Sequence, residues 1–179
     1  MIDAEGTFLL IIDVQERLLP VMSEPGLIER NCSILMESAQ QLGVPMLLSE
    51  QYPKGLGHTV PPLAANAPEG GTFAKVDFSC CRDAAIMKEI ENFGRKQAVL
   101  CGVESHVCVL QTALDLQQRG FDVFVAIDAT GSRSEQSKHI ARDRMVAAGV
   151  TVVTTEMVVF ELLKTAASPQ FKALSRLIQ

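Results

Sequence analysis

The sequence predicts an α/β fold of three layers, with helices on both faces of a doubly wound, mostly parallel sheet of six strands. Apolar runs of strand length alternate along the chain with longer segments of helical period, and this alternation is typical of parallel sheets covered by helices. The 179 residues, 47% of them hydrophobic, are also enough for one core without disulfide bonds. We therefore expect a single domain over residues 1–179.

The first half of the chain contains three predicted strands and one long helix. Strand one is Thr7–Asp13, followed by a helix over Leu27–Leu42 and a second strand over Val44–Ser49. The segment Glu50–Gly71 is rich in Gly and Pro. It is too long for an idle connection and indicates a loop that shapes a site. A short third strand covers Thr72–Lys75.

The second half continues the same alternation and closes with helices. Strand Gln97–Gly102, helix Val107–Arg119 and strand Asp122–Asp128 form a βαβ unit, whose crossover is expected to be right-handed. The natural doubly wound order for six such strands is 3-2-1-4-5-6. The remaining predicted elements are helices Arg82–Phe93, Ser134–Ala148, Val158–Leu163 and Pro169–Ile178 and a last strand Val150–Thr154.

This strand order places the switch point of the sheet between strands one and four, where ligands bind in such folds. Strand one ends at Asp13, and strand four leads into the turn before Cys108, so the topology alone brings the two residues together. Asp13 follows a run of apolar residues, where a carboxylate is costly unless it has a partner. A carboxylate that caps the following turn is the structural alternative.

The stretch Gln97–Val109, QAVLCGVESHVCV, places Cys108 at the start of an amphipathic helix. A helix N-terminus favours a thiolate and can also hold a developing oxyanion, so Cys108 is a candidate nucleophile. The alternative is a small buried apolar residue, since free cysteines are often buried. Lys75, directly after the long loop, is the best cation candidate for Asp13, although most lysines are simply solvated.

Composition favours small-molecule chemistry in a reducing compartment. The formal charge of -5 and the pI near 5.2 provide no basic surface for nucleic acid. Five cysteines at irregular spacing do not indicate a disulfide framework. Asp3 and Glu5 lie where a signal peptide would be basic, and no apolar run approaches the roughly 18 residues of a membrane span. We expect a cytoplasmic protein with no membrane partner.

Four ordered segments resemble the isochorismatase-like cysteine hydrolases, a superfamily that includes nicotinamidases and N-carbamoyl amidohydrolases. They are IIDVQ around Asp13, FAKVDFS around Lys75, the CGVESHVCV turn at Cys108, and GFDVFVAIDATGSRS after the nucleophile helix. The loop SEQYPKGLGHTVPPL further resembles the isochorismatase domain-containing branch. The resemblance spans most of the chain.

This resemblance implies a catalytic triad of Asp13, Lys75 and Cys108 that cleaves a C–N bond of a small amide or carbamoyl compound. Asp13 would take the thiol proton and pass it to the leaving amine, Lys75 would hold the carboxylate, and Cys108 would form a thioester. The family also carries a cis peptide bond, here expected between Val103 and Glu104. The N–H groups of Glu104 and Cys108 would then form the oxyanion hole.

No metal and no cofactor are expected. Metal-dependent nicotinamidases carry an Asp-x-His motif after the second strand, whereas this chain reads Ser49-Glu50-Gln51. His58 with Glu50 is a thin ligand set for zinc, which usually has three protein ligands in a catalytic site. Residues that flank the triad or lie in the loop are candidates to line the substrate pocket. They are Gln15, Gln51, Tyr52, Phe78 and His106, with burial in the core as the alternative for Phe78.

Two other functions are compatible with parts of the sequence. A catalytically silent scaffold, or a redox-sensing thiol protein, would use Cys108 for oxidation or partner binding, but it would have no chemical reason to keep Asp13 and Lys75. A dinucleotide-binding domain is disfavoured because no G-x-G-x-x-G follows strand one. We also expect a homo-oligomer, a dimer or larger. Members of the family usually assemble, and only 21% of the residues are charged.

Overall fold

Six strands form one sheet in the structure, which is a computed structural model describing residues 1–178. Neighbouring strands are parallel throughout, and their order is 3-2-1-4-5-6. The predicted fold class and strand order are therefore confirmed. The strands are β1 (Thr7–Ile12), β2 (Met46–Gln51), β3 (Thr72–Lys75), β4 (Gln97–Val103), β5 (Asp122–Gly131) and β6 (Thr151–Val153).

Helices cover both faces of this sheet. The longer ones are α1 (Pro25–Gln41), α4 (Ala84–Asn92), α5 (Leu110–Gln118), α6 (Glu135–Ala147), α7 (Thr155–Leu163) and α8 (Phe171–Leu177). Between β2 and β3 lie two short helices, α2 (Pro53–Leu56) and α3 (Pro61–Ala64). Single turns of 3-10 helix occur at Leu19–Val21 and Cys80–Arg82, and one π-helical turn occurs at Ser105–Val109.

The central strand β1 is buried on both faces. Its consecutive side chains point in opposite directions and enter different hydrophobic clusters. Leu9 and Ile11 pack into the cluster that contains the inner residues of α1 and α7. Phe8, Leu10 and Ile12 pack into the opposite cluster, with the inner residues of α4, α5 and α6. The uninterrupted apolar run of β1 is the pattern of a strand covered on both sides. None of the helices described within residues 1–178 is both apolar and long enough to span a membrane.

Strand two differs from its predicted boundaries. It begins at Met46, beyond Pro45, and continues through Gln51 because Glu50 pairs with Ala74 and Gln51 pairs with Lys75 in the ladder to β3. The predicted strand Val44–Ser49 ended two residues early. Glu50 and Gln51 therefore belong to the rigid sheet and not to the loop.

The segment around Cys108 also differs from the simple helix start that was predicted. The N–H of Val109 donates to the carbonyl of Glu104 at 3.2 Å, which is the i to i-5 bond of a π-helical turn. Cys108 lies inside this turn, and α5 begins at Leu110. Strand β5 is likewise longer than predicted, since Val103 pairs with Gly131 after an irregularity in the ladder.

Gly102 pairs with Ile12 of β1, just before the turn that carries Cys108. Its φ is 108°, in the region that favours glycine. A Cβ built at this position would overlap the carbonyl oxygen of Ile12, its partner in the β1 ladder. The close approach of the two strands at the switch point therefore requires glycine.

Replacing Gly102 with Ala should lower the free energy of unfolding by about 4 kcal/mol or more, because both the backbone angle and the overlap with Ile12 are unfavourable. Urea unfolding measures this change. Gly43→Ala is the matched control, since Gly43 also has a positive φ, of 67°, but has no atom within 4 Å of its would-be Cβ. The control should lose only about 1–2 kcal/mol. Equal losses for the two variants would show that the overlap is unimportant.

Candidate active site

Asp13 directly follows β1 and is completely buried. Its φ of 52° is uncommon for a residue other than glycine. Its N–H donates to the carbonyl of Ser49 at 3.1 Å, and its own carbonyl accepts the N–H of Gln15 at 2.9 Å. Asp13 therefore lies at the turn where the chain leaves the carboxyl end of the sheet.

An ion pair without solvent contact joins Asp13 to Lys75. The Lys75 Nζ lies 2.7 Å from the Asp13 Oδ2, and neither side chain has exposed surface. The hydroxyl of Ser49 donates to the other carboxylate oxygen, Oδ1, at 2.7 Å. Both oxygens of the carboxylate are thus held by buried donors, and buried charges are tolerated only with such partners.

The ammonium group of Lys75 is surrounded by acceptors. Besides Asp13, it donates to the Gln51 Oε1 at 2.7 Å and lies within 3.3 Å of the carbonyl oxygens of Asp77 and Phe78. Burial alone would lower the pKa of Lys75, but the Asp13 carboxylate, together with the nearby Cys80 and Cys108, raises the pKa above its usual value. Lys75 therefore remains a cation over the whole physiological range.

Cys108 lies next to this pair and is 6% exposed. Burial raises the pKa of the Cys108 thiol, and the Asp13 carboxylate raises it further, both by its charge and by a hydrogen bond to the thiol; Lys75 acts in the opposite direction. The resting group is a neutral thiol beside the Asp13 carboxylate. The helix-terminus argument, which favours a thiolate, does not include this burial.

The turn before Cys108 contains a cis peptide bond between Val103 and Glu104, at the position that the family resemblance implied. The Glu104 carbonyl accepts hydrogen bonds from the N–H groups of Val107 and Val109. Its side chain pairs with Arg133 at 2.9 Å. Both the backbone carbonyl and the side chain of Glu104 therefore hold this turn in place.

Gln15 and Gln51, both predicted to line the pocket, hydrogen-bond to other parts of the framework. The Oε1 of Gln15 accepts the backbone N–H of Gln51 at 2.7 Å, and its Nε2 donates to the carbonyls of Gln51 and Gly57. The Gln51 side chain donates to the Val76 carbonyl at 2.6 Å and accepts from Lys75. The amide groups of Gln15 and Gln51 are therefore occupied by protein partners.

The other predicted pocket residues are more accessible. Tyr52 is 55% exposed and Phe78 is 53% exposed, so the alternative of a core position for Phe78 is wrong. Tyr52 and Lys75 border a cavity of about 490 Å³ at the outer edge of β3. His106 is partly exposed, and its Nδ1 lies 2.9 Å from the hydroxyl of Ser132.

Glu50 connects the long loop to β2. Its Oε1 accepts the N–H and the hydroxyl of Thr59 at 2.6 and 2.9 Å, and its Oε2 lies 3.0 Å from the Nδ1 of His58. Burial would raise the pKa of Glu50, but these hydrogen bonds outweigh it and hold the pKa below its usual value. Within residues 1–178, no group of three or more His, Cys, Asp or Glu side chains could hold a metal ion.

Sequence reasoning missed Ser49 and Cys80. The Cys80 thiol lies 3.5 Å from the Ser49 hydroxyl, and burial, followed by the nearby Asp13, raises the pKa of Cys80 to about 11. A usable signal did exist for Ser49. It pairs with Ile12 in the β1 ladder, so the predicted order of strands already places it beside Asp13.

A profile of the isochorismatase domain matches residues 7–157. The chain belongs to the isochorismatase family. A curated relative, isochorismatase domain-containing protein 2B of Mus musculus, is 38% identical over 177 residues, which cover 98% of this chain and 82% of the mouse protein. The family resemblance inferred from the four sequence segments is thereby confirmed.

Solved structures of other proteins share the isochorismatase fold of this chain. The MAR1 ribonuclease of Caenorhabditis elegans has a TM-score of 0.93 and 35% identity, covering 99% of this chain and 91% of its own. The YcaC gene product of Escherichia coli, described as an octameric hydrolase of unknown specificity, has a TM-score of 0.94, 30% identity and coverages of 99% and 88%. YcaC of Pseudomonas aeruginosa, solved with hexane-2,5-diol and covalent acrylamide, has a TM-score of 0.91, 27% identity and coverages of 99% and 95%.

In this isochorismatase-family chain, replacing Lys75 with Met should lower the free energy of unfolding by about 3–5 kcal/mol, because it leaves the buried Asp13 carboxylate unpaired. Urea unfolding at pH 7 measures the loss. Lys172→Met is the control at an exposed helical position and should change stability by less than about 0.5 kcal/mol. A Lys75 variant as stable as this control would contradict the buried ion pair.

Proposed function

We propose that this protein is a cysteine hydrolase that cleaves a C–N bond of a small amide or carbamoyl compound through a thioester intermediate. The observation that carries the proposal is the buried ion pair of Asp13 and Lys75, whose carboxylate lies near enough to the buried Cys108 thiol to raise the pKa of that thiol. A thiol beside a fixed base is the arrangement that nucleophilic catalysis requires. The fold alone would not support an activity.

Acylation begins with the neutral thiol. Asp13 takes the proton from the Cys108 sulfur as the sulfur attacks the substrate carbonyl carbon, and a tetrahedral oxyanion forms. The backbone N–H groups of Glu104 and Cys108 are the proposed donors to that oxyanion. Asp13 then gives the proton to the leaving nitrogen, the C–N bond breaks, and a thioester remains on Cys108.

Deacylation runs through the same base. Asp13 removes a proton from a water molecule that attacks the thioester carbonyl, and the proton passes to the Cys108 sulfur as the C–S bond breaks. Lys75 keeps its proton throughout, because its three N–H donors already have protein acceptors. Its role is to hold the Asp13 carboxylate and to balance the charge of the site.

The descriptions of two structural relatives agree with a hydrolase and with binding of a small amide. The Escherichia coli YcaC protein is described as a hydrolase, and YcaC of Pseudomonas aeruginosa was solved with covalent acrylamide, which is itself a small amide. Acrylamide is therefore a suitable first probe of Cys108 in this chain.

The ribonuclease name of the Caenorhabditis elegans relative suggests a second substrate class. Binding of RNA depends on neutralising its phosphates with a basic surface. This chain has a formal charge of -5, and its candidate nucleophile is 6% exposed, which favours a small uncharged group over a polynucleotide. We therefore propose that nucleic acid is not its substrate.

The remaining features of the proposal concern the surroundings of the triad. Tyr52, Phe78 and His106 are the accessible residues proposed to contact the substrate, and no metal or cofactor takes part. A homo-oligomer is proposed because the Escherichia coli relative is described as octameric and because Tyr52, Val76 and Phe78 present exposed apolar surface at the carboxyl ends of β2 and β3. All five cysteines are free, which is compatible with a cytoplasmic location.

Release of ammonia from a panel of small primary amides and N-carbamoyl amino acids tests the proposal. Cys108→Ala should reduce the turnover of every active compound at least about 1,000-fold, because the nucleophile is lost. Cys81→Ala is the matched control, since Cys81 is also a buried free cysteine but plays no part in the mechanism. It should retain the wild-type rate.

Labelled RNA is assayed in parallel with the amides. Cleavage of RNA that disappears in Cys108→Ala, with no turnover of any amide, would contradict the proposed substrate class. Amide hydrolysis that persists undiminished in Cys108→Ala would contradict the proposed nucleophile.

A further inference from the structure

We infer that Ser49 is a positioning residue, whose hydroxyl orients the Asp13 carboxylate toward the Cys108 thiol. The inference rests on the proposed function, since it assumes that Asp13 moves the thiol proton. Nothing in the family resemblance or in the sequence segments that carry it assigns a role to Ser49.

Ser49 contacts Asp13 at two points. On β2 it pairs with Ile12, the residue before Asp13. Its carbonyl accepts the Asp13 N–H at 3.1 Å, and its hydroxyl donates to the Asp13 Oδ1 at 2.7 Å. Ser49 is 1% exposed, so no water competes readily for either bond. The backbone and the side chain of Asp13 are thus fixed by one residue.

The two carboxylate oxygens of Asp13 are held by different elements. Lys75 at the end of β3 binds Oδ2, and Ser49 on β2 binds Oδ1, each at 2.7 Å. Two donors on two oxygens fix the rotation of the carboxylate plane, and with it the directions of the lone pairs that remain to accept the thiol proton. If Lys75 were the only donor, the carboxylate could rotate about its hydrogen bond to Lys75.

Cys80 determines the direction of the Ser49 hydroxyl. A serine hydroxyl has one hydrogen and two lone pairs. The Cys80 thiol lies 3.5 Å from the Ser49 oxygen, and because burial raises the pKa of Cys80 to about 11, it remains a protonated donor at neutral pH. The Ser49 oxygen accepts from Cys80 and directs its single hydrogen to Asp13.

Addition of acrylamide to Cys108 provides a readout that needs no known substrate. The sulfur bonds to the terminal alkene carbon, and the thiol proton passes through Asp13 to the carbon next to the carbonyl, so no further reactant is required. At neutral pH this assisted route should dominate and give a rate constant independent of pH. At alkaline pH the free thiolate adds without help from Asp13, and the rate constant should rise with pH.

Ser49→Ala should lower the neutral plateau of the rate constant by about 10- to 100-fold, because the base is misoriented, and should leave the alkaline limb unchanged. Ser49→Thr, which keeps the hydroxyl, should stay within about twofold of the wild type. If Ser49→Ala does not fold, the neutral rate constants of Ser49→Thr and Ser49→Val are compared. Thr and Val have nearly the same shape and differ in the hydroxyl, so the difference between the two rate constants reports the effect of the hydroxyl. Ser38→Ala is the matched control, since the buried Ser38 hydroxyl makes a 2.7 Å hydrogen bond in α1, to the carbonyl of Ile34.

A neutral plateau that is unchanged in Ser49→Ala would overturn the inference. A loss of equal size on both limbs would also overturn it, because the hydroxyl would then support the fold and not the orientation of the base. Asp13→Asn separates this inference from the proposed function. If Asp13→Asn keeps the neutral plateau, the proposed role of Asp13 itself fails, whereas loss of the plateau in Asp13→Asn but not in Ser49→Ala rejects only the role of Ser49.

Discussion

The buried ion pair between Asp13 and Lys75 is the interaction on which the site depends. Two charges without solvent contact are stable only when each is fully paired, and this requirement explains the residues gathered around them. Asp13 follows β1 and Lys75 ends β3, so the pair crosses above the end of β2. Strand β2 supplies one further side-chain partner for each, with Ser49 on the carboxylate and Gln51 on the ammonium. The pair thus joins the ends of three parallel strands.

The strand order brings the proposed nucleophile, Cys108, to this pair. Because β1 and β4 are neighbours at the switch point, the chain leaving β4 must turn away beside Asp13. Gly102 allows the close approach of the two strands, and the turn at Ser105–Val109 then presents Cys108. The result is a neutral thiol next to an ionised base. In the proposed mechanism this site reacts only when a substrate carbonyl lies within reach of the sulfur, and the Lys75 ammonium balances the charge of Asp13.

The fold, and the convergence of Asp13 and Cys108, could be predicted because both follow from hydrophobic periodicity and strand order. The end of β2 could not be predicted from the sequence, since Glu50 and Gln51 are polar and join the strand only through their pairing with β3. The protonation of Cys108 depends on burial by every surrounding element, which a helix-terminus argument does not include. The roles of Gln15 and Gln51 rest on side-chain hydrogen bonds whose partners lie 24 to 42 residues away along the chain. The sequence predicted Tyr52 and Phe78 near the site, but their exposure could not be predicted because it depends on the path of the loop.

The most direct test of the account is a rapid-quench experiment with the enzyme in excess over an amide that it hydrolyses. Samples are quenched with acid at successive times and digested. The mass of the Cys108 peptide is then measured in each sample by mass spectrometry. We predict an acyl group on Cys108 that forms and then decays as the acid product appears. Added hydroxylamine should capture this acyl group as the hydroxamate. Product formed with no acylated Cys108 peptide at any time, and with no hydroxamate, would contradict thioester catalysis at this site.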